Sequence, residues 1–290
     1  MEILGKVFSK KYLCNKANTL SAMIKHISSV QNPLIKQILQ LQEKSRERKK
    51  TGLFIIEGER EISLAAKGGY EIEKLLYSKE IYSEDVLMHL INHPIDRVEI
   101  TMEVYKRIAY RQSTEGLIAV ARTKKNLLSD LKLSSKTPLI LVIEAPEKPG
   151  NIGALLRTAD AARIDAVLIA NPKTDIYNPN IIRSSIGCVF TTPIATGTTD
   201  EIVNSLKENK ITIYAAALQA STPYETVDYK GATAIVMGTE DTGLSAQWLK
   251  QATKNIVIPM EGEIDSMNVS VAAAILIFEA KRQRKAVTNL

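Results

Sequence analysis

Five short, almost uninterrupted apolar runs in the second half of the chain constrain its fold more than any other feature. They cover residues 139–144, 166–170, 213–218, 234–238 and 255–260, and segments with apolar residues at helical spacing separate them. A strand with one wet face alternates apolar and polar residues, whereas a run without alternation needs cover on both faces. A parallel sheet with crossover helices supplies that cover, so residues 138–290 are expected to form one α/β domain.

The last run leads through a polar loop holding Gly262, Asp265, Ser266 and Asn268 into an Ala-rich helical pattern over residues 269–280. Strand, polar loop and close-packing helix in that order make a ligand-binding corner. Ser266 and Asn268 stand where N-cap residues belong. Capping is their plain reading, and it is compatible with ligand contact, because the free N–H groups of a helix start also receive polar ligands. No Gly-x-Gly-x-x-Gly follows a strand and no Gly-Lys-Ser/Thr is present, so neither a standard dinucleotide site nor a P-loop is supported.

The segment Ile258-Pro-Met-x-Gly…Ser266-Met-Asn-Val-Ser270 resembles the third signature motif of the SpoU (TrmH-type) family of RNA 2′-O-ribose methyltransferases. Asn151-Ile-Gly-Ala-Leu-Leu-Arg157-Thr-Ala resembles the first, and Ile235-Val-Met-Gly238-Thr-Glu240-Asp-Thr-Gly243-Leu-Ser245 the second, in the family's order. The resemblance implies a SPOUT-type parallel-sheet α/β domain whose C-terminal part is threaded into a trefoil knot, a rare exception to the rule against knots. It also implies S-adenosyl-L-methionine as cofactor, wrapped by three loops at residues 218–220, 237–243 and 258–268, with Leu218, Gly238, Ile258, Met260 and Met267 as contacts. The family usually has Leu where this chain has Met267, a change of little weight where the contact is made by main chain.

By the same resemblance Arg157 is the key catalytic residue. A guanidinium stays protonated, so its expected work is to clamp the phosphate beside the target ribose and to stabilise the developing alkoxide. Asn151 is expected to orient RNA, Glu240 to orient Arg157, and Ser266 and Asn268 to hold the loop and touch substrate. The segment Asn178…Arg183-Ser-Ser185-Ile-Gly187 resembles the stretch beside the RNA entrance, which makes Arg183 and Ser185 candidate RNA contacts. The plain alternatives are an exposed helical Arg and ordinary turn and cap chemistry.

The first half reads as a smaller α/β unit over residues 30–122. Pro33 starts a helix with Leu34, Ile38 and Leu41 at helical spacing. A strand at 53–58, a helix at 59–67, strands at 74–77, 98–100 and 117–121, and helical patterns at 83–92 and 102–111 follow. Phe54-Ile-Ile-Glu57-Gly58-Glu-Arg60-Glu and Ser113-Thr-Glu-Gly116-Leu-Ile-Ala-Val120 resemble the two ends of the substrate-binding domain that precedes many SpoU domains, implying a ribosomal-protein-like α/β fold that grips RNA. Tyr110, Arg111 and Gln112 make a polar patch there, with Arg111 a candidate RNA contact. Residues 123–137 are expected to be a linker.

Charge agrees with a polyanionic partner. Of 38 Lys and Arg and 32 Asp and Glu, the first 50 residues carry 11 and 3, leaving 27 against 29 elsewhere. Residues 1–29 read as a basic leader. Met23-Ile-Lys-His-Ile-Ser-Ser resembles a natural start, so residues 1–22 are expected to be an upstream extension. Cys14 and Cys188 lack CxxC spacing, which argues against a disulfide framework and structural zinc and favours a reducing cytoplasm. No apolar run approaches the length of a transmembrane span. His89 and His93 have metal-compatible spacing but no third ligand or His-Glu-x-x-His pattern, so no metal is expected. Trp248 reads as core or interface, and Glu261, Glu263 and Asp265 as loop acids rather than a hydrolytic pair.

The reading is an S-adenosylmethionine-dependent RNA 2′-O-methyltransferase, homodimeric as family members are, with ribosomal RNA ahead of transfer RNA as substrate. Its rivals are a non-catalytic RNA-binding or assembly protein on the same scaffold and an enzyme acting on a small molecule.

Overall fold

The computed structural model describes residues 25–83, 95–110, 115–219, 221–239 and 241–288. His89, His93 and almost all of the helical pattern expected at 83–92 lie outside these residues.

The smaller sheet contains β1 (Lys25–Ile27), β2 (Leu53–Glu57), β3 (Ile72–Tyr77), β4 (Asp96–Ile100) and β5 (Leu117–Arg122), in the order β1-β4-β3-β5-β2. β1, β4 and β3 pair parallel, and β5 runs antiparallel to β3 and β2. Helix α1 (Pro33–Glu43) begins as its sequence dictates, with the Asn32 side chain accepting from the Leu34 amide at 2.9 Å and Ile35, Ile38 and Leu41 buried. The basic run that follows is a second helix, α2 (Ser45–Thr51), closed by Gly52 at φ 67. Helices α3 (Glu59–Lys67) and α4 (Met102–Ile108) are the other helices of this unit among the described residues. Two expectations need correction. Lys25–Ile27, assigned to the leader, pairs with β4 because its main chain completes the sheet edge. Helix α4 stops at Ile108, since Ala109 turns extended.

The larger sheet is wholly parallel. Its strands are β6 (Leu139–Glu144), β7 (Ala166–Ala170), β8 (Ile194–Gly197), β9 (Thr212–Ala216), β10 (Thr222–Pro223), β11 (Thr233–Met237) and β12 (Lys254–Val257), in the order β10-β12-β9-β11-β6-β7-β8. Helices α5 (Pro149–Ala161), α6 (Pro179–Ser184), α7 (Thr199–Glu208), α8 (Ala246–Gln251) and α9 (Val269–Thr288) connect and cover it. The apolar runs now have their explanation. Leu139, Leu141 and Ile143 face one core with α5 and α9, while Ile140 and Val142 face the other with α7 and Trp248. Trp248 is core, fully buried.

The first of those cores continues across the unit boundary. Phe54, Ile56, Leu75, Tyr77 and Leu117 from one face of the small sheet join Tyr177, Ile181, Ile182 and Phe190 of the large unit. Phe54 meets Tyr177 at 4.5 Å between centroids, and Tyr70 meets Phe190 edge-on at 5.1 Å. Arg48, buried within the basic run, pairs with Asp175 at 2.5 Å and donates to the Leu41 carbonyl. Residues 123–137 are fastened too: Asn126 accepts from the Thr196 amide at 2.8 Å, and Leu131 and Leu133 pack on the second core.

Candidate active site

In a parallel sheet the loops at the carboxyl ends of the strands lie together, and the order β12-β9-β11-β6 sets those after 257, 216, 237 and 144 side by side. A small pocket opens there, lined by Ile143, Lys148, Asn151, Leu155, Gly238 and Val269. The starts of α5 and α9 both face it, bringing two positive helix ends to one place. Pro149 has no N–H to satisfy, and the Asn151 and Ile152 amides bond back to the Lys148 carbonyl. Gly150, with open space beside it, leads the first turn.

The Asn268 side chain caps α9: Oδ1 accepts from the Ser270 amide at 2.9 Å and from its hydroxyl at 2.6 Å. Asn268 Nδ2 donates to Asn151 Oδ1 at 3.3 Å, so residues 117 positions apart meet across the pocket mouth. Gly238 is sterically required, because a Cβ would stand 2.2 Å from the Gly243 carbonyl carbon. Thr239 and Gly243 exchange main-chain hydrogen bonds at 3.1 Å, which closes the loop between them. Among the described residues, no hydrogen bond engages the main chain of Leu218, Gly238, Ile258, Met260 or Met267. Their side chains range from the half-buried Ile258, Met260 and Met267 to Leu218, 59% exposed. Ser266 is exposed on the same loop.

Arg157 does not join the Asn151–Asn268 pair. It lies six residues along α5, about 9 Å of rise and on another face of the helix, exposed toward the turn at Cys188. Burial, together with Asp160, pushes the Cys188 thiol up to about 11, while Arg60 and Arg157 act against that shift. Arg183 is exposed at the unit boundary, its guanidinium 5.5 Å from the Tyr110 ring centroid. Ser185 is corrected: it is fully buried, donating to the Ile182 carbonyl at 3.0 Å, and cannot touch RNA because helix packing holds it inside. Glu240 and Arg111 lie outside the described residues.

Glu144 went unnoticed in the sequence. Its buried carboxylate at the end of β6 accepts from the Ser245 amide at 2.8 Å and ties the β11–α8 loop to the neighbouring strand. A carboxylate closing an apolar run was the available signal. Ala145 next to it adopts φ 45, a left-handed conformation that costs a non-glycine residue energy and bends the chain around the pocket.

Residues 138–278 match the SpoU rRNA Methylase family, and residues 32–119 match the MRM3-like substrate binding domain. A solved RNA 2′-O ribose methyltransferase is 36% identical and superposes with a TM-score of 0.77 over 90% of this chain and 99% of its own. The chain belongs to the SpoU family. Among its SpoU relatives, the 23S rRNA (guanosine(2553)-2′-O)-methyltransferase RlmP of Bacillus subtilis (strain 168) is 29% identical over 89% of this chain and 100% of its own length. An AdoMet-bound rRNA methyltransferase from Sinorhizobium meliloti is 27% identical, with a TM-score of 0.82 over 89% of this chain and 98% of that one. The loops around Gly238, Ile258 and Asn268 are thus those of a SpoU domain.

Proposed function

We propose that this SpoU-family chain transfers the methyl group of S-adenosylmethionine to a ribose 2′-hydroxyl of RNA, with large-subunit ribosomal RNA as substrate. The observation that carries the reading is the contact of Asn151 with Asn268 where two helix starts converge on loops with uncommitted main-chain groups. Those loops fit the cofactor: main-chain donors and acceptors suit an adenine edge, and Leu218, Ile258, Met260 and Met267 supply the apolar walls. The relatives named for 23S rRNA methylation and the AdoMet-bound neighbour support the same substrate and cofactor.

When bound, the cofactor supplies an electrophilic methyl group on a sulfonium. The chain's own residues supply position, which alone can lower a barrier by about 7–11 kcal/mol in well-oriented systems. Asn151 and Asn268 orient the ribose, and Ser266 closes the loop behind it. Arg157, six residues along α5 from Asn151, grips a phosphate of the RNA and so fixes the position of the ribose; Glu240 orients Arg157. Arg183 over the Tyr110 ring receives RNA at the unit boundary, and Arg111 is a further RNA contact in this reading.

The reading includes the division into an RNA-gripping unit, drawn back to residue 25 by β1, a connecting stretch at 123–137 and a catalytic unit from 138 onward. It includes a trefoil knot, supported by the insertion of β12 between β9 and β10. It includes a homodimer, supported by exposed Val271 and Phe278 two turns apart on α9 beside the pocket; a monomer in sedimentation analysis would remove it. A ribosomal RNA substrate puts its work in the cytoplasm.

The test is methyl transfer from labelled S-adenosylmethionine to unmodified total RNA by the intact chain and by Arg157→Ala. Label recovered as a 2′-O-methyl nucleotide in ribosomal RNA, falling by about 10² in the variant, is the expected result. Cofactor binding and RNA binding with no RNA class labelled would favour the assembly-protein reading.

A further inference from the structure

A groove of about 680 Å³ runs between the two units, at the end of the sheet opposite the candidate active site. Lys67, Lys124, Lys125 and Lys132 line it, with Asp130 the only acid among its lining residues. Because the large sheet is parallel, the amino end of β8 lies at the foot of the strands whose carboxyl ends hold the pocket. A strand of about five residues separates the two levels, about 16 Å.

Helix α3 bridges that distance. Near its start a Cβ on Gly187 would lie 3.3 Å from the Glu61 Cα, and at its end a Cβ on Gly68 would strike the Phe190 carbonyl oxygen at 2.1 Å, so α3 lies flat along the turn between those residues. Arg60, Ser63 and Lys67 recur at three- and four-residue steps on its exposed face. Arg60 stands at the Arg157 end, near enough to Cys188 for both guanidinium groups to act on the thiol. Among the described residues, Arg60, Lys67, Lys125, Lys132 and Arg157 have no ion-pair partner, whereas Lys74, Arg122 and Lys173 all do.

We propose that single-stranded RNA flanking the target nucleotide follows this line of unpaired cations from Arg157 across Arg60 and Lys67 into the groove at Lys125 and Lys132. The inference rests on the RNA methyltransferase reading and extends its footprint to the far end of the sheet. Recognition there is through phosphates, not bases: the Tyr70 ring is buried and already covered by Lys124, whose Nζ lies 4.3 Å from its centroid. The contribution to affinity is therefore independent of sequence and sensitive to salt.

The test uses the full chain and a fluorescent, mixed-sequence single-stranded RNA. The triple variant Lys67→Gln/Lys125→Gln/Lys132→Gln changes exposed residues only. Three phosphate contacts at about 0.7 each lower the slope of log K against log salt by about 2 and weaken binding about a hundredfold at about 0.1 M salt. KM for RNA should rise with kcat and cofactor affinity held. Lys230→Gln/Lys250→Gln/Lys254→Gln, with the same loss of charge on the other side of the large unit, should keep the parental slope. A parent that binds and methylates RNA while the first triple variant matches it in slope and affinity overturns the track alone. A parent with no affinity for RNA overturns the track and the underlying reading together.

Discussion

Asn268 uses the two ends of one carboxamide for different work, and the two can be separated. Oδ1 caps α9 and Nδ2 reaches Asn151. Asn268→Ala should cost about 1 kcal/mol of stability through the lost cap. Asn268→Asp keeps the acceptor at a helix start, where a negative charge is favoured, but loses the donor. Its unfolding midpoint in urea should stay near that of the parent while methyl transfer drops about five- to thirtyfold, the value of a hydrogen bond worth about 1–2 kcal/mol. Activity retained by the Asp variant would reduce Asn268 to a cap. The sequence offered Asn268 in both roles, and its neighbours in space show why both are compatible.

Helix α5 places Asn151 on the pocket because its middle is pressed onto the helix that follows. Gly153 makes that possible: a Cβ there would lie 1.9 Å from Ser184 Oγ and 2.7 Å from the Ser185 amide nitrogen. An Ala in place of Gly in a helix normally stabilises by about 1 kcal/mol. Here the overpacking, about 1–3 kcal/mol, should reverse the sign. The urea midpoint of Gly153→Ala should fall with an unchanged slope, and Gly153→Ala/Ser184→Ala should recover only part of the loss, since the main-chain contact remains. A midpoint raised by the single substitution would contradict the close approach. Apolar runs of five or six residues announced β6, β7 and β11, but β8, Ile194-Ala-Thr-Gly, has too few apolar residues to stand out and exists because β7 offers it an edge.

The two units share one core and one buried ion pair, so they should unfold as one. Trp248, the only tryptophan, reports the large unit's second core, and its fluorescence should change at the same urea concentration as far-UV circular dichroism. Arg48→Met leaves the Asp175 carboxylate without its guanidinium in a site where the side chains are 2% and 9% exposed. Removing one partner of such a pair costs about 3–5 kcal/mol, and the midpoint should drop accordingly. An unchanged midpoint would mean that the pair does not hold the junction.

Local spacing was enough to determine the parallel sheet and the starts of α1 and α9, because period and cap chemistry act within a few residues of one another, while the resemblance to the family's three motifs marked the segments that meet at the pocket. The tertiary structure decided what spacing cannot carry. It buried Ser185 and Arg48, which look like surface residues in a polar string, drew residues 25–27 into a sheet, and turned Arg157 toward the small unit instead of toward Asn151. Each outcome depends on which distant surface arrives to cover a side chain, and burial by a partner more than a hundred residues away leaves no mark on the local pattern.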